Sequence, residues 1–165
     1  MDNYAKFEKR WVYGQSVWSG DNQNRFSGVG VLFNNRTFNI ENVETVVDGR
    51  VLLVDAERCG VKFRIINVYG YTDKKERTAL FQTLQPFLCS RRNIVMGGDF
   101  NCTLGKRVRR SENPVDRGDG SSCVLENLII DGNLNDNLAK GRRQWERRKQ
   151  ARLQRYYNLL VLGFD

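Results

Sequence analysis

Between Val61 and Asp99 the chain reads as strand, helix, strand, and that order limits its fold more than any other feature. Val61, Phe63 and Ile65 alternate with Lys62 and Arg64, the period of a strand with one solvated face. Ile66 to Tyr69 is more apolar, as in a strand running into a core. Asp73 followed by Glu76 resembles a capping box. Ala79, Leu80, Phe81, Leu84, Phe87 and Leu88 then hold one face at helical spacing, which predicts a helix over 73–89 that ends near Ser90. Ile94 to Met96 is a short apolar run that reads as a buried strand, broken by Gly97 and Gly98. Such a β-α-β unit sets two strands side by side with a helix laid over them, so the fold class is α/β.

The flanking chain adds strands. Arg25 to Phe33 reads as one, with Gly28 and Gly30 near its start. It is not a dinucleotide fingerprint, because Phe33 stands where the third glycine is needed. Val43 to Val47 and Arg50 to Val54 bracket Asp48-Gly49, a strong hairpin signal, and Arg58-Cys59-Gly60 is another turn. Residues 1–20 carry Trp11, Tyr13 and Trp18 without a clear period. Residues 102–121 are a polar, Gly-rich loop containing Lys106, Arg107, Arg109 and Arg110. A second helix is expected from about Ser122 to Asp131, burying Leu125, Leu128 and Ile129.

At 165 residues the chain has room for one sizeable core. Its formal net charge is +8, but from Ala139 to Asp165 eight basic residues face only Glu146 and Asp165. Most of the basicity therefore belongs to the tail, and does not by itself make the preceding residues a polyanion-binding domain. The run Gln144 to Tyr157 has strong helix propensity with an imperfect apolar face. A solvated basic helix and a nuclear-localisation or nucleic-acid-binding segment both fit it. The chain contains no His, and Cys59, Cys89, Cys102 and Cys123 form no CxxC pair, so zinc sites lose their usual ligands and reduced structural thiols are expected. No apolar run is long enough to span a membrane and none resembles a secretory signal, which leads to the expectation of an intracellular polypeptide, with the nucleus as a candidate compartment.

The candidate chemistry centres on Gly97-Gly98-Asp99-Phe100-Asn101. In extended conformation Asp99 and Asn101 project from one face. The carboxylate can orient or deprotonate a water, and the amide can donate to a phosphate oxygen. The same residues are also what an ordinary strand exit into a turn carries. A phosphate loop is excluded, because Gly98 and Gly105-Lys106 are separated by six residues instead of four and Arg107 replaces the hydroxyl that holds magnesium.

Three ordered segments resemble the endonuclease/exonuclease/phosphatase superfamily, the DNase I-like fold, in its apurinic-endonuclease-like branch carried by non-LTR (LINE-type) retrotransposons. They are Ser27 to Phe33, then Asp48-Gly49-Arg50-Val51-Leu52 through Ile65 to Tyr71, then Gly97 to Asn101. The resemblance covers roughly 12–138 and implies a partial α/β sandwich over 1–138, with mixed sheets and flanking helices, followed by a basic, helical tail over 139–165. It implies Mg²⁺-dependent hydrolysis of DNA phosphodiester bonds, the nicking of target DNA by a retrotransposon endonuclease. Tyr69 matches the tyrosine that contacts the scissile phosphate, although a strand-end aromatic packed in the core explains it as well. Asp99 matches the aspartate that orients water or assists the leaving group, and is the one obvious metal ligand. Asn101 matches the asparagine that hydrogen-bonds the phosphate. Arg50 matches a residue that meets the nucleic-acid backbone, with Thr72, Lys106 and Arg107 as further nucleic-acid-binding candidates. The expected partner is DNA.

The departures carry equal weight. The family draws on an early Asn, a metal-binding Glu and a late Ser-Asp-His segment, and none of these is matched. Thr72 also stands where many relatives have Asn. The chain thus resembles a middle fragment lacking early and late strands, with a weak magnesium site and little or no activity of its own. Asp55, Glu57, Asp116 and Asp119 are the nearest acidic candidates to stand in for the Glu, and none is an evident replacement. A phosphatase or other phosphodiesterase of the same fold, and a non-catalytic basic nucleic-acid-binding remnant, are the alternative functions.

Overall fold

The computed structural model describes residues 11, 14–20, 28–34, 36–102 and 120–134, together with the backbone of 158–162. Packing divides it into two compact units. One comprises Met1–Tyr69, Arg91–Asp99 and Arg142–Asp165, the other Gly70–Ser90 and Phe100–Gly141.

The first unit holds the strands β1 (Ser16–Gly20), β2 (Gly28–Phe33), β3 (Asn39–Val47), β4 (Val51–Arg58), β5 (Val61–Tyr69), β6 (Asn93–Asp99) and β7 (Asn158–Leu162). They form a three-stranded sheet in the order β1-β2-β7 and a four-stranded sheet in the order β3-β4-β5-β6. Both sheets are mixed: β2 pairs antiparallel with β1 and parallel with β7, while β5 pairs antiparallel with β4 and parallel with β6. Turn chemistry sets the meander β3-β4-β5. Arg50 N–H bonds the Val47 carbonyl at 3.0 Å around Asp48-Gly49. Cys59 and Gly60 join Arg58 to Val61 with positive φ at both residues (52° and 79°), the backbone a two-residue hairpin needs.

The two sheets pack face to face. Leu52, Val54 and Ala56 alternate along β4, and their register partners Asn67, Ile65 and Phe63 occupy the same face of β5. They meet Val29, Val31 and Phe33 of β2, with Phe38 between the layers; its ring lies 4.8 Å from Phe33 and 6.3 Å from Phe63. Fully burying such side chains contributes roughly 1.5–3 kcal/mol each. A single hydrogen bond nets only about 1 kcal/mol, so burial holds the layers together and polar contacts align them. The buried Asn67 does this, donating from Nδ2 to the Gly30 carbonyl at 2.8 Å.

The second unit pairs helix α1 (Lys74–Leu88) with helix α2 (Gly120–Asp131). Asp73 caps α1 as its spacing predicts, accepting from the N–H groups of Lys75 and Glu76 at 2.9 and 3.0 Å. These bonds hold its carboxyl below the usual range, the one from Glu76 first. Pro86 lacks the N–H that would continue the helix ladder, and α1 ends two residues later. Leu80, Phe81, Leu84 and Leu88 are buried on α1, and Leu125 and Leu128 on α2.

Several expectations change. Ala79 is exposed and Phe87 half-buried, and the buried face of α1 instead begins at Arg77. Arg64 is half-buried and not fully solvated: it pairs with the buried Asp55. Ile94, Val95 and Met96 are half-buried, as suits a strand at the edge of its sheet. Cys59, Cys89 and Cys123 sit at the surface. The expected helical tail lies outside the described residues except at Asn158–Leu162, where the backbone is a strand beside β2 and not a frayed helix end. The apolar run Leu159 to Leu162 suits that conformation.

Candidate functional site

The parallel register of β5 and β6 ends on the pair Tyr69 and Asp99. Partners in register share a face of the sheet, so both residues stand on the face that carries Ile65, Asn67 and Val95. Tyr69 is half-buried and packs against the core, while Asp99 is exposed. The core-packing reading of Tyr69 therefore holds for its ring.

Arg50 joins them from the start of β4. Its carbonyl accepts the Tyr69 N–H at 2.7 Å, and its guanidinium lies 4.5 Å from the centroid of the Tyr69 ring. That separation is within the range of a cation–π contact. Two residues chosen from sequence for a role at phosphate are thus in direct contact.

The approach of β6 to β5 depends on Gly98, whose φ is 130°. A Cβ there would collide with the Val68 carbonyl oxygen and lie 2.7 Å from Asn67 Oδ1. Gly98 thereby allows the backbone approach that brings Asp99 beside Tyr69.

Asn101 departs from its expected placement. Its φ is 49°, left-handed and not extended, so it does not continue the alternation that would set it on the face of Asp99. Its Nδ2 donates to the Gly70 carbonyl at 2.7 Å. Gly70 also lies close against the backbone of Phe100, leaving no room for a Cβ. One amide N–H of Asn101 therefore fixes its own loop, which a reading of the strand period could not reveal.

Thr72 is exposed, in a segment held by a residue the sequence did not single out. Arg77 is 3% exposed. It donates from Nη1 to the carbonyls of Tyr71 and Thr72 at 2.8 and 2.9 Å, and from Nε to Ser121 Oγ at 2.9 Å. The only sequence signal was a charged residue falling in step with Leu80, Phe81 and Leu84. Lys106 and Arg107 lie outside the described residues, as do Asp116 and Asp119.

Asp55 is not a substitute metal ligand. It is 4% exposed, and Arg64 grips it with Nε at 2.9 Å and Nη2 at 2.8 Å. The Arg64 hydrogen bonds hold the Asp55 carboxyl below its ordinary value against the opposing effect of burial, and Arg92 lies 3.5 Å away. Among the described residues no group of three His, Cys, Asp or Glu side chains could hold a metal ion.

No protein-family profile matches the chain. It is 33% identical over 114 residues, 66% of its own length, to a Xenopus laevis protein described as "Transposon TX1 uncharacterized 149 kDa protein". The match spans 8% of that relative. The chain is thus similar to a small part of a transposon-encoded protein, and its structure is a mixed α/β arrangement of two sheets and two helices among the described residues. No described helix is long and apolar enough to cross a membrane.

Proposed function

We propose that this chain is a portion of a DNase I-like endonuclease domain from a non-LTR retrotransposon, and that it contacts DNA phosphates with negligible hydrolysis as given. The observation that carries this reading is the juxtaposition of Tyr69, Asp99 and Arg50 at one sheet end. Tyr69 donates its hydroxyl to a phosphate oxygen, Arg50 supplies positive charge beside it, and Asp99 orients water. Asn101 commits its amide to the Gly70 carbonyl within its own loop. The similarity to a transposon-encoded protein is in keeping with this origin.

Weak hydrolysis follows from the side chains. The chain has no His to share proton transfer near neutral pH, and Asp55 is committed to Arg64. Loss of two transition-state contributions of about 3 kcal/mol each lowers a rate by roughly 10⁴. The test is plasmid nicking at millimolar Mg²⁺ beside an Asp99→Ala control, together with duplex-DNA binding across a salt series. Salt-sensitive binding is expected, with nicking no faster than the control. Nicking well above the control would refute the inactivity, and absence of DNA binding would refute the phosphate-contacting role.

The net charge of +8, concentrated in the tail, favours a second reading, a binder whose affinity resides there. Reversing Arg147, Arg148 and Lys149 to Glu separates the two. Abolished binding in that variant, with Tyr69→Phe unaffected, would favour the tail.

A further inference from the structure

We infer that Arg50 is a positioning residue for Tyr69: its guanidinium, stacked on the ring, sets the phenol at the sheet end and couples the two side chains into one phosphate-binding unit. The inference rests on the proposed phosphate-contacting role and deepens it, since a phosphate ligand need not touch a neighbouring ring at all. Two separate contacts join the residues. The Arg50 carbonyl accepts the Tyr69 N–H at 2.7 Å, which fixes one backbone against the other. The guanidinium then lies 4.5 Å from the ring centroid. Tyr69 also packs on the cluster containing Val54, Ile65 and Phe33. The phenol is thus held between that core and a cation.

A flat guanidinium can cover a ring while its N–H edge still points outward, whereas an ammonium is a compact, strongly hydrated point charge. Arg50 can therefore stack on Tyr69 and present charge to the same phosphate oxygens the phenol reaches. Lys at this position keeps the charge and loses the stacking plane. The inference accordingly predicts that charge and positioning separate in an Arg50→Lys variant.

The experiment uses the full chain with ¹³C-labelled tyrosine rings, the ring signals of Tyr69 being assigned by loss in Tyr69→Phe. Arg50→Ala and Arg50→Lys are both expected to shift and broaden the Tyr69 signals, while the other tyrosines hold as a check on folding. A duplex oligonucleotide is then titrated across a salt series. Arg50→Ala is expected to reduce the slope of log affinity against log salt by about 1, and Arg50→Lys to restore it. Tyr69→Phe is expected to weaken binding roughly tenfold in the parent and by much less in Arg50→Lys. Unmoved ring signals in both Arg50 variants, or an equal Tyr69→Phe effect in both backgrounds, would overturn the inference. Shifted rings with no DNA binding by any variant would instead sink the phosphate-contacting role and leave the positioning contact standing.

Discussion

Two arginines on the four-stranded sheet meet opposite kinds of partner. Arg64 grips the buried Asp55 with two hydrogen bonds, and Arg92 links that pair to Glu41 at 2.6 Å. Arg50, toward the other end of β4, lies against the face of an aromatic ring, with the exposed Asp99 in register beside that ring. The first arrangement satisfies charge internally: a carboxylate taken out of water costs several kcal/mol, and only a close, multiply bonded partner offsets it. The second keeps a cation and a phenol together at the end of two strands. The contrast separates an arginine held by a buried carboxylate from one held over an aromatic face, and the two sets should respond differently to mutation.

The largest effect is expected at the glycine beside Asp99. Gly98→Ala forces a side chain onto the Val68 carbonyl at a φ of 130°, combining overpacking with backbone strain for a loss of about 4 kcal/mol. A denaturation midpoint within error of the parent would mean that β6 does not need this close approach. Arg64→Ala comes next, with about 3 kcal/mol lost at pH 7 because Asp55 is left buried beside only the more distant Arg92. The same pair carries a pH signature. The folded-state pKa of Asp55 is lowered, so its stabilisation is fully present above the unfolded value of about 3.9. It is lost as pH falls below that value through the folded pKa. Urea unfolding at pH 7 and pH 3 should show this acid-side loss in the parent and a smaller one in Arg64→Ala; equal losses would break the assignment. Tyr69→Phe is the smallest, with a stability change within about 0.5 kcal/mol although DNA affinity falls. A large loss of stability there would place Tyr69 with the structural set and erase the contrast.

Local signals carried much of this organisation. Asp73 declared the cap of α1, Asp48-Gly49 the first hairpin, and the period of Leu80, Phe81, Leu84 and Leu88 one buried face. The β-α-β order also placed Tyr69 and Asp99 on adjacent strands, because such connections join parallel neighbours. What escaped was set by partners distant in sequence. Nothing around Arg64 announces that Asp55 waits across the hairpin, and an alternating charge looks solvated until its neighbour is known. Arg77 is buried because carbonyls of Tyr71 and Thr72 and a hydroxyl 44 positions away receive it. Asn101 turns left-handed to reach Gly70, so strand periodicity stops being a guide one residue after Asp99. Ser16–Gly20 is a strand with little pattern of its own, paired along its length by β2.

The parallel pairing of β2 with β7 has a consequence for the order in which the molecule can be assembled. Strands β3, β4 and β5 are joined by tight turns and can find one another on the timescale of hairpin closure, about 1–10 microseconds. β2 must wait for Asn158–Leu162, which is made long after the meander. Until then the apolar run Gly28-Val29-Gly30-Val31-Leu32-Phe33 keeps one edge open, and open apolar edges invite pairing with other chains. The three-stranded sheet is therefore the slow partner in folding, and a nascent chain is most exposed to aggregation in the interval between synthesis of the meander and arrival of β7.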